Sequence, residues 1–206
     1  MTGPAFQFKK PAELDLSIII VSFNTRDVLL DCLESVYAKT EGISYEIIVV
    51  DNASSDESPG SVAERFPDIH LIRNDVNRGF STANNQGICE STGRWVALLN
   101  PDTRLIENSF QKIARYLQKH SEFSILGPGI VNKSGQQSPT RLWEDTPLDA
   151  AWKILGLYNP SNELQRMGGM QAKEVLVISG CCFVIRRELF EEIGLLDENY
   201  FLYNEE

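Results

Sequence analysis

The chain has 206 residues, 19 Lys and Arg against 29 Asp and Glu, and a formal net charge of −10. With 42% hydrophobic and 23% charged residues it is globular in composition rather than disordered, and its length fits one large domain with a self-sufficient core. The acidic balance excludes nucleic acid as a partner and electrostatic docking on anionic lipid, both of which need a basic face.

Four cysteines, Cys32, Cys89, Cys181 and Cys182, contain no Cys-x-x-Cys pair and read as reduced, buried thiols. Met1 to Asp15 has no apolar core of a signal peptide, and no apolar run approaches the roughly 18 residues of a membrane span. A cytoplasmic setting is expected.

In chain order, Leu16 to Val21 predicts a buried strand. A helix follows, capped by Asn24 or Thr25, with Val28, Leu29, Cys32, Leu33 and Val36 on one face. Glu46 to Val50 is a second strand. Ser58 before Pro59 predicts an N-cap, with Val62 and Phe66 facing inward. His70 to Arg73 is a short strand, Ser81 to Cys89 a helix with Ala83 and Ile88 inward, and Trp95 to Leu99 a fourth strand. Phe110, Ile113, Ala114 and Leu117 mark a longer helix, and Ser124 to Leu126 a fifth strand. This alternation predicts an α/β fold with a mostly parallel sheet and helices on both faces. After Gly127 the pattern becomes irregular. Asn132 to Gly169 reads as a mobile cover, with a helix opening at Thr146-Pro147. Glu174 to Ile185 is strand-like, broken at Ser179-Gly180, and Arg187 to Ile193 is helical. Arg186 and Arg187 are expected as a surface pair.

Ligands of open α/β sheets bind at the carboxyl ends of the strands. Here those ends carry Ser22-Phe23-Asn24, then Asp51-Asn52-Ala53-Ser54-Ser55-Asp56, then Asn74-Asp75 leading to Asn77-Arg78-Gly79, and finally Asn100-Pro101-Asp102. Any one of these alone reads as turn and cap chemistry. Four on one rim predict a polar crevice. The turn Ser22 to Arg26 has no glycine and no Gly-x-x-x-x-Gly-Lys loop exists, which argues against a dinucleotide or a P-loop nucleotide. A diphosphate bound without a glycine cradle needs a divalent cation held by a carboxylate, and Asp102 is the candidate ligand. An Asx turn is the competing reading of Asp102.

The runs Ser17-Ile-Ile-Ile-Val-Ser-Phe-Asn24, Val50-Asp-Asn-Ala-Ser-Ser-Asp56, Asn77-Arg-Gly-Phe-Ser-Thr-Ala-Asn-Asn-Gln-Gly87, Leu99-Asn-Pro-Asp-Thr103, Ser179-Gly-Cys-Cys-Phe-Val-Ile-Arg-Arg187 and Phe201-Leu-Tyr-Asn-Glu-Glu206 resemble the family 2 glycosyltransferases of the GT-A fold. Bacterial rhamnosyltransferase-like members look most similar. The resemblance implies a Rossmann-like, mostly parallel sheet flanked by helices, with a mixed irregular second half. It implies one catalytic domain over 1–206, cut short at its C-terminus, with a nucleotide-binding half at 1–128 and an acceptor-side half at 129–206. Ser22, Asn24, Asp51 and Asn52 fall where the family lines the nucleotide, and Gly79, Asn84 and Asn85 in the segment that closes over the donor. Asn100-Pro101-Asp102 stands at the Asp-x-Asp motif, with Asn100 in place of the first Asp and Asp102 as ligand of Mg²⁺ or Mn²⁺. Glu205 and Glu206 stand at an acidic pair whose second member is the catalytic base. The implied reaction is inverting transfer from a UDP- or dTDP-linked sugar to a glycan or lipid-linked acceptor in polysaccharide synthesis. The full-length protein would then work at the inner face of the membrane.

One base and one metal carboxylate suit transfer better than hydrolysis, which wants two carboxyl groups across one bond. The rival readings are a nucleotide-sugar-binding domain without transfer, favoured by Asn100, and a sugar nucleotidyltransferase, which would want a Gly-rich first loop. His70 and His120 carry no ligand spacing, and Trp143, Trp152 and Tyr158 read as core or lid ahead of stacking on an acceptor sugar.

Overall fold

A computed structural model describes residues 7–132, 134–138, 178 and 180–200. The expected helix at Thr146-Pro147, most of the Asn132 to Gly169 cover, Trp143, Trp152, Tyr158, Glu205 and Glu206 lie outside the described residues. The chain divides into two compact units, Met1–Leu126 with Gly180–Glu206, and Gly127–Ser179.

In the first unit, strands β1 (Leu16–Ser22), β2 (Tyr45–Asp51), β3 (His70–Arg73) and β4 (Trp95–Leu99) alternate with helices α1 (Arg26–Lys39), α2 (Ser58–Arg65) and α3 (Phe80–Glu90). Helix α4 (Ser109–Lys119) leads to β5 (Ile125–Leu126). In the second unit, β6 (Ile130–Val131) and β7 (Gln137–Ser138) form an antiparallel hairpin. The chain returns to the first unit as β8 (Cys182–Arg186) and α5 (Arg187–Ile193).

The main sheet has the order β3-β2-β1-β4-β8-β5. The first four strands are parallel, and β8 enters antiparallel between β4 and β5. The long apolar runs follow from this order, because the central strands β1, β2 and β4 are buried on both faces. Leu16, Ile18, Ile20, Ile47, Val49, Trp95 and Ala97 share one cluster with Leu29, Leu33 and Val36 of α1, Val62 of α2, and Phe110, Ile113 and Leu117 of α4. Helix α3 covers the other face, where a Cβ on Gly87 would stand 2.5 Å from Ile19 Cγ2. Glycine at this point lets the helix backbone approach β1.

Two local expectations are corrected. Ser58 does not cap α2; it opens the helix, and Glu57 precedes it at φ 63°. The Asp56 carboxylate does the capping, accepting hydrogen bonds from the Ser58 N–H at 3.2 Å and from the Ser58 hydroxyl. Arg187 is not a surface residue but 3% exposed. Its guanidinium donates to the carbonyls of Ser91 at 3.2 Å and Lys9 at 2.5 Å, pairs with Glu191 at 3.1 Å and lies over the Phe8 ring. A buried guanidinium needs such a full set of acceptors, and backbone carbonyls leave no trace in the sequence. Arg186 donates to the Ser121 carbonyl at 2.8 Å and lies over Trp95. Within the strand-like run expected over Glu174 to Ile185, the strand observed is Cys182–Arg186.

None of the four cysteines is in a disulfide. Cys32, Cys89 and Cys182 are buried, whereas Cys181 is half-buried. His120 ends α4, stacks on Tyr116 and contacts Glu122 at 3.0 Å. His70 lies 4.0 Å from Glu90.

Candidate functional site

The parallel register places Ser22 directly beside Asp51, so β1 and β2 end level with each other. Both side chains are buried. The Ser22 hydroxyl meets the Thr25 hydroxyl at 2.9 Å, which explains why Thr25, at the start of α1, makes no capping bond. The Asn52 N–H donates to the Ser22 carbonyl at 2.8 Å, joining the two turns.

The two loops are further clamped by side chains. The Asn24 carbonyl oxygen accepts from the Ser55 N–H at 2.8 Å, and the Asn24 N–H donates to the Ser54 hydroxyl at 2.9 Å. The Arg26 N–H donates to Asp56 at 2.8 Å. Asn24, Ala53 and Glu57 are the non-glycine residues with positive φ among those described, at 53°, 69° and 63°. All three lie in these loops. For alanine and glutamate this conformation is unfavourable and persists only where surrounding bonds enforce it.

Asn52 is the hub of the next layer. Its amide donates to Asn77 Oδ1 at 2.8 Å and to the Gly79 carbonyl at 3.2 Å. Its own carbonyl accepts from the Asn74 amide at 3.1 Å and the Arg78 N–H at 2.9 Å. Asn74 and Gln86 bond each other through both ends of their amides, at 2.8 and 2.9 Å. Gly79, at φ 83°, occupies the cap position of α3. The loop from Asn74 to Gly79 is thus fixed to the end of β2 by amide groups.

Asp51 is the exception in this saturated network. One carboxylate oxygen accepts from the Ser54 N–H at 3.1 Å. The other is buried and accepts no hydrogen bond. A buried polar atom left unsatisfied costs about 1–3 kcal/mol, which a ligand donating an N–H or O–H to it would recover.

The turn after β4 is held from below. The Asn100 N–H donates to the Cys181 carbonyl at 2.9 Å, and the Thr103 hydroxyl donates to the same carbonyl at 3.4 Å. The Cys32 thiol of α1 lies 3.8 Å from the Asn100 carbonyl as its donor. Burial, then the charge of Asp102, pushes the Cys32 thiol up to about 12. Burial, then Cys181 and Cys32, raises Cys182 as well. Both thiols therefore stay protonated at neutral pH. Asp102 is exposed, and its carboxylate accepts no hydrogen bond from any described residue. Among the described residues no three His, Cys, Asp or Glu side chains are grouped to hold a metal ion. A cation bound here would take Asp102 as its carboxylate among the described residues, with phosphate oxygens and water available to complete the shell.

The predicted residues thus fall into three groups. Ser22, Asn24, Asp51, Asn52 and Gly79 are joined by hydrogen bonds along the carboxyl edge, and Asn100 and Asp102 sit on the turn after β4, which pairs with β1. Asn84 and Asn85 lie elsewhere. The Asn84 amide returns to the Phe80 carbonyl of its own helix at 3.0 Å, and Asn85 bonds Leu196 and Glu198. The sequence reading placed Ser54 and Asn74 on the rim without giving either a role, and did not single out Gln86 or Ser81. The visible signal for Ser81 is a helix with Ser and Asn where apolar residues belong.

A sheet in the order β3-β2-β1-β4, with an antiparallel strand inserted beyond it and Asp, Asn and Ser gathered at its carboxyl edge, is the GT-A fold. TarS of S. aureus, residues 1–349 in complex with UDP, superposes with a TM-score of 0.68 at 16% identity, over 93% of this chain and 52% of that one. The mannosyltransferase PcManGT of Pyrobaculum calidifontis, solved with GDP-Man and Mn²⁺, gives 0.64 at 19% identity, over 94% and 51%. The family model for glycosyl transferase family 2 matches residues 17–194, and the chain belongs to that family. It is 31% identical over 201 residues to the low-salt glycan biosynthesis hexosyltransferase Agl10 of Haloferax volcanii, covering 93% of this chain and 59% of the relative. It is 26% identical over 208 residues to the N-acetylglucosaminyl-diphospho-decaprenol L-rhamnosyltransferase of Mycobacterium tuberculosis, covering 93% and 67%. The chain thus spans about three fifths to two thirds of these curated relatives. Among the described residues no helix is long and apolar enough to cross a membrane.

Proposed function

We propose that this domain binds a nucleoside-diphosphate sugar at the carboxyl edge of its sheet, and that the protein transfers the sugar to a hydroxyl of a glycan or lipid-linked acceptor. The observation that carries this reading is the buried, unpartnered oxygen of Asp51, level with Ser22 and enclosed by saturated loops. It asks for a neutral donor group, as a base N–H or a ribose hydroxyl offers. UDP and dTDP both present one. The names of the relatives, a hexosyltransferase and a lipid-diphosphate rhamnosyltransferase, point the same way. A lipid-linked acceptor would bring the whole protein to the inner membrane face.

In this mechanism Asp51 binds the nucleoside end, Asn52 holds the loops around it, and Asp102 faces the diphosphate. A divalent cation, Mg²⁺ or Mn²⁺, would offset the charge of the leaving diphosphate. By family resemblance Glu206, supported by Glu205, takes the proton of the acceptor hydroxyl. The acceptor oxygen forms its bond to the anomeric carbon on the face opposite the breaking bond, and the configuration inverts.

Calorimetry with UDP, dTDP and GDP, each with and without Mn²⁺, tests the donor assignment. Asp51→Ala should weaken nucleoside diphosphate binding about ten- to a hundred-fold under both conditions, the worth of one charge-assisted hydrogen bond. Asp102→Ala should abolish only the metal-dependent part. Parental affinity in Asp51→Ala overturns the nucleoside assignment. A second reading, binding without transfer, is favoured by the single carboxylate of Asn100-Pro101-Asp102. Donor consumption in the presence of acceptor separates the two.

A further inference from the structure

Helix α3 buries Ser81, at 0% exposure, and Asn85, at 1%. These residues are four apart and share one face. Neither serves its own helix. The Ser81 hydroxyl donates to the Tyr200 carbonyl at 3.1 Å. The Asn85 amide donates to the Leu196 carbonyl and to the Glu198 carboxylate, both at 2.9 Å. The Asn85 carbonyl accepts from the Leu196 N–H at 3.0 Å.

The pairing also has a direction. Leu196 sits at Asn85 and Tyr200 at Ser81, so the segment runs antiparallel to α3 and advances about 6 Å, one helical turn, towards the start of the helix. That start is Gly79, whose carbonyl is held by Asn52, the neighbour of Asp51. Within the segment, Asp197 closes a turn by accepting from the Asn199 N–H at 2.9 Å. Its backbone is thus fixed at both ends by a helix rooted in the donor edge. In sequence, Tyr200 is followed by Phe201-Leu-Tyr-Asn-Glu-Glu206.

We infer that Ser81 and Asn85 are positioning residues: they hold segment 196–200 against the helix that begins at the donor edge, and turnover depends on this hold because the proposed base follows the segment in sequence. The inference rests on the transferase reading above and deepens it. It explains why this helix spends its buried face on Ser and Asn. That face packs against a backbone, whose N–H and carbonyl groups must be satisfied when buried. A base acts only when held within hydrogen-bond reach of the acceptor hydroxyl, and displacement by about 1 Å costs on the order of a hundred-fold in rate.

The test compares donor affinity and turnover in the full-length protein carrying Asn85→Ala, Asn85→Asp, Ser81→Ala, Ser81→Thr or Glu206→Gln. Asn85→Ala and Asn85→Asp should lower kcat about ten- to a hundred-fold and leave the donor Kd within about twofold. Aspartate fails because it cannot donate to the Leu196 carbonyl and repels Glu198. Ser81→Ala, the milder change, should lower kcat in the same direction, and Ser81→Thr, which keeps the hydroxyl, should restore it. Parental kcat in both Asn85→Ala and Ser81→Ala overturns the inference. So does a donor Kd that weakens in step with kcat/KM, because the residues would then serve the donor or the fold. A parent that binds no nucleoside diphosphate overturns the transferase reading itself. Full turnover by Glu206→Gln also overturns the inference, because the held segment would then lead to no base.

Discussion

Asp51 and Asp56 stand five residues apart in one loop, and their carboxylates have opposite fates. Asp51 keeps one buried oxygen without a partner, whereas Asp56 is saturated by Arg26 and Ser58. Burial pushes Asp56 up, but the hydrogen bonds from the Ser58 hydroxyl and the Arg26 and Ser58 N–H groups outweigh it and hold the carboxyl below the ordinary aspartate value. A carboxylate depressed on folding contributes stability that is complete above its unfolded value and is lost as pH falls through its folded one. Asp56→Asn should therefore cost stability at pH 6, and the gap from the parent should close as pH drops below about 4. Denaturant midpoints of both proteins between those limits check this. A gap independent of pH would mean that the charge of Asp56 contributes nothing. Sequence alone marked Asp51 as a strand-end carboxylate but gave Asp56 no role. The capping role went to Ser58, because Ser before Pro satisfies the local rule, and the carboxylate two residues earlier competes only in three dimensions.

At the scale of elements, α3 differs most from what local patterning describes. Strands β1, β2 and β4 were legible because burial on both faces writes an unbroken apolar run. Helices α1 and α4 were legible because their inner stripes face the side chains of the sheet. Helix α3 buries Ser81, Asn84, Asn85 and Gly87 alongside Ala83, Ile88 and Cys89. Its existence could be read, but not its purpose, since two of these residues serve a backbone 111 to 119 positions away. Arg187 was misjudged for the same reason. Gly87 tests how closely α3 lies on the sheet. Alanine there gains about 1 kcal/mol of helix propensity. Its Cβ, however, would meet the branched Ile19 Cγ2 at 2.5 Å, beneath a central strand that cannot retreat. Overpacking of this kind costs about 1–3 kcal/mol, so Gly87→Ala should destabilise by about 1 kcal/mol net. Adding Ile19→Ala removes the obstructing methyl group, and the double variant should lose less than the sum of the singles by roughly 1 kcal/mol. Strict additivity in urea unfolding would show that α3 and β1 are not in close contact.

For the whole molecule, the decisive quantity is charge. A domain with net charge −10 is proposed to bind a ligand that is itself strongly anionic. Of the arginines along the carboxyl edge, Arg26 donates through its side chain to the Ser61 hydroxyl at 3.0 Å and Arg73 to the Pro59 carbonyl at 3.1 Å, whereas Arg78 and Arg104 are exposed; none of these four forms an ion pair with a described residue. Local attraction is therefore modest, while the acidic surface repels an approaching diphosphate over distances comparable with the Debye length, about 10 Å at 0.1 M salt. Two consequences differ from those of a basic nucleotide cleft. Raising salt from about 20 to about 200 mM should leave metal-free UDP binding unchanged or tighten it by about two- to threefold, because screening removes repulsion. With saturating Mn²⁺ the ligand arrives nearly neutralised, and affinity should vary with salt by less than about twofold over the same range. Isothermal titration at the two ionic strengths, with and without Mn²⁺, measures both slopes. Metal-free binding that weakens severalfold with salt would show that an arginine of this edge meets the diphosphate directly, and that charge relief at this site comes from the protein as well as from a cation.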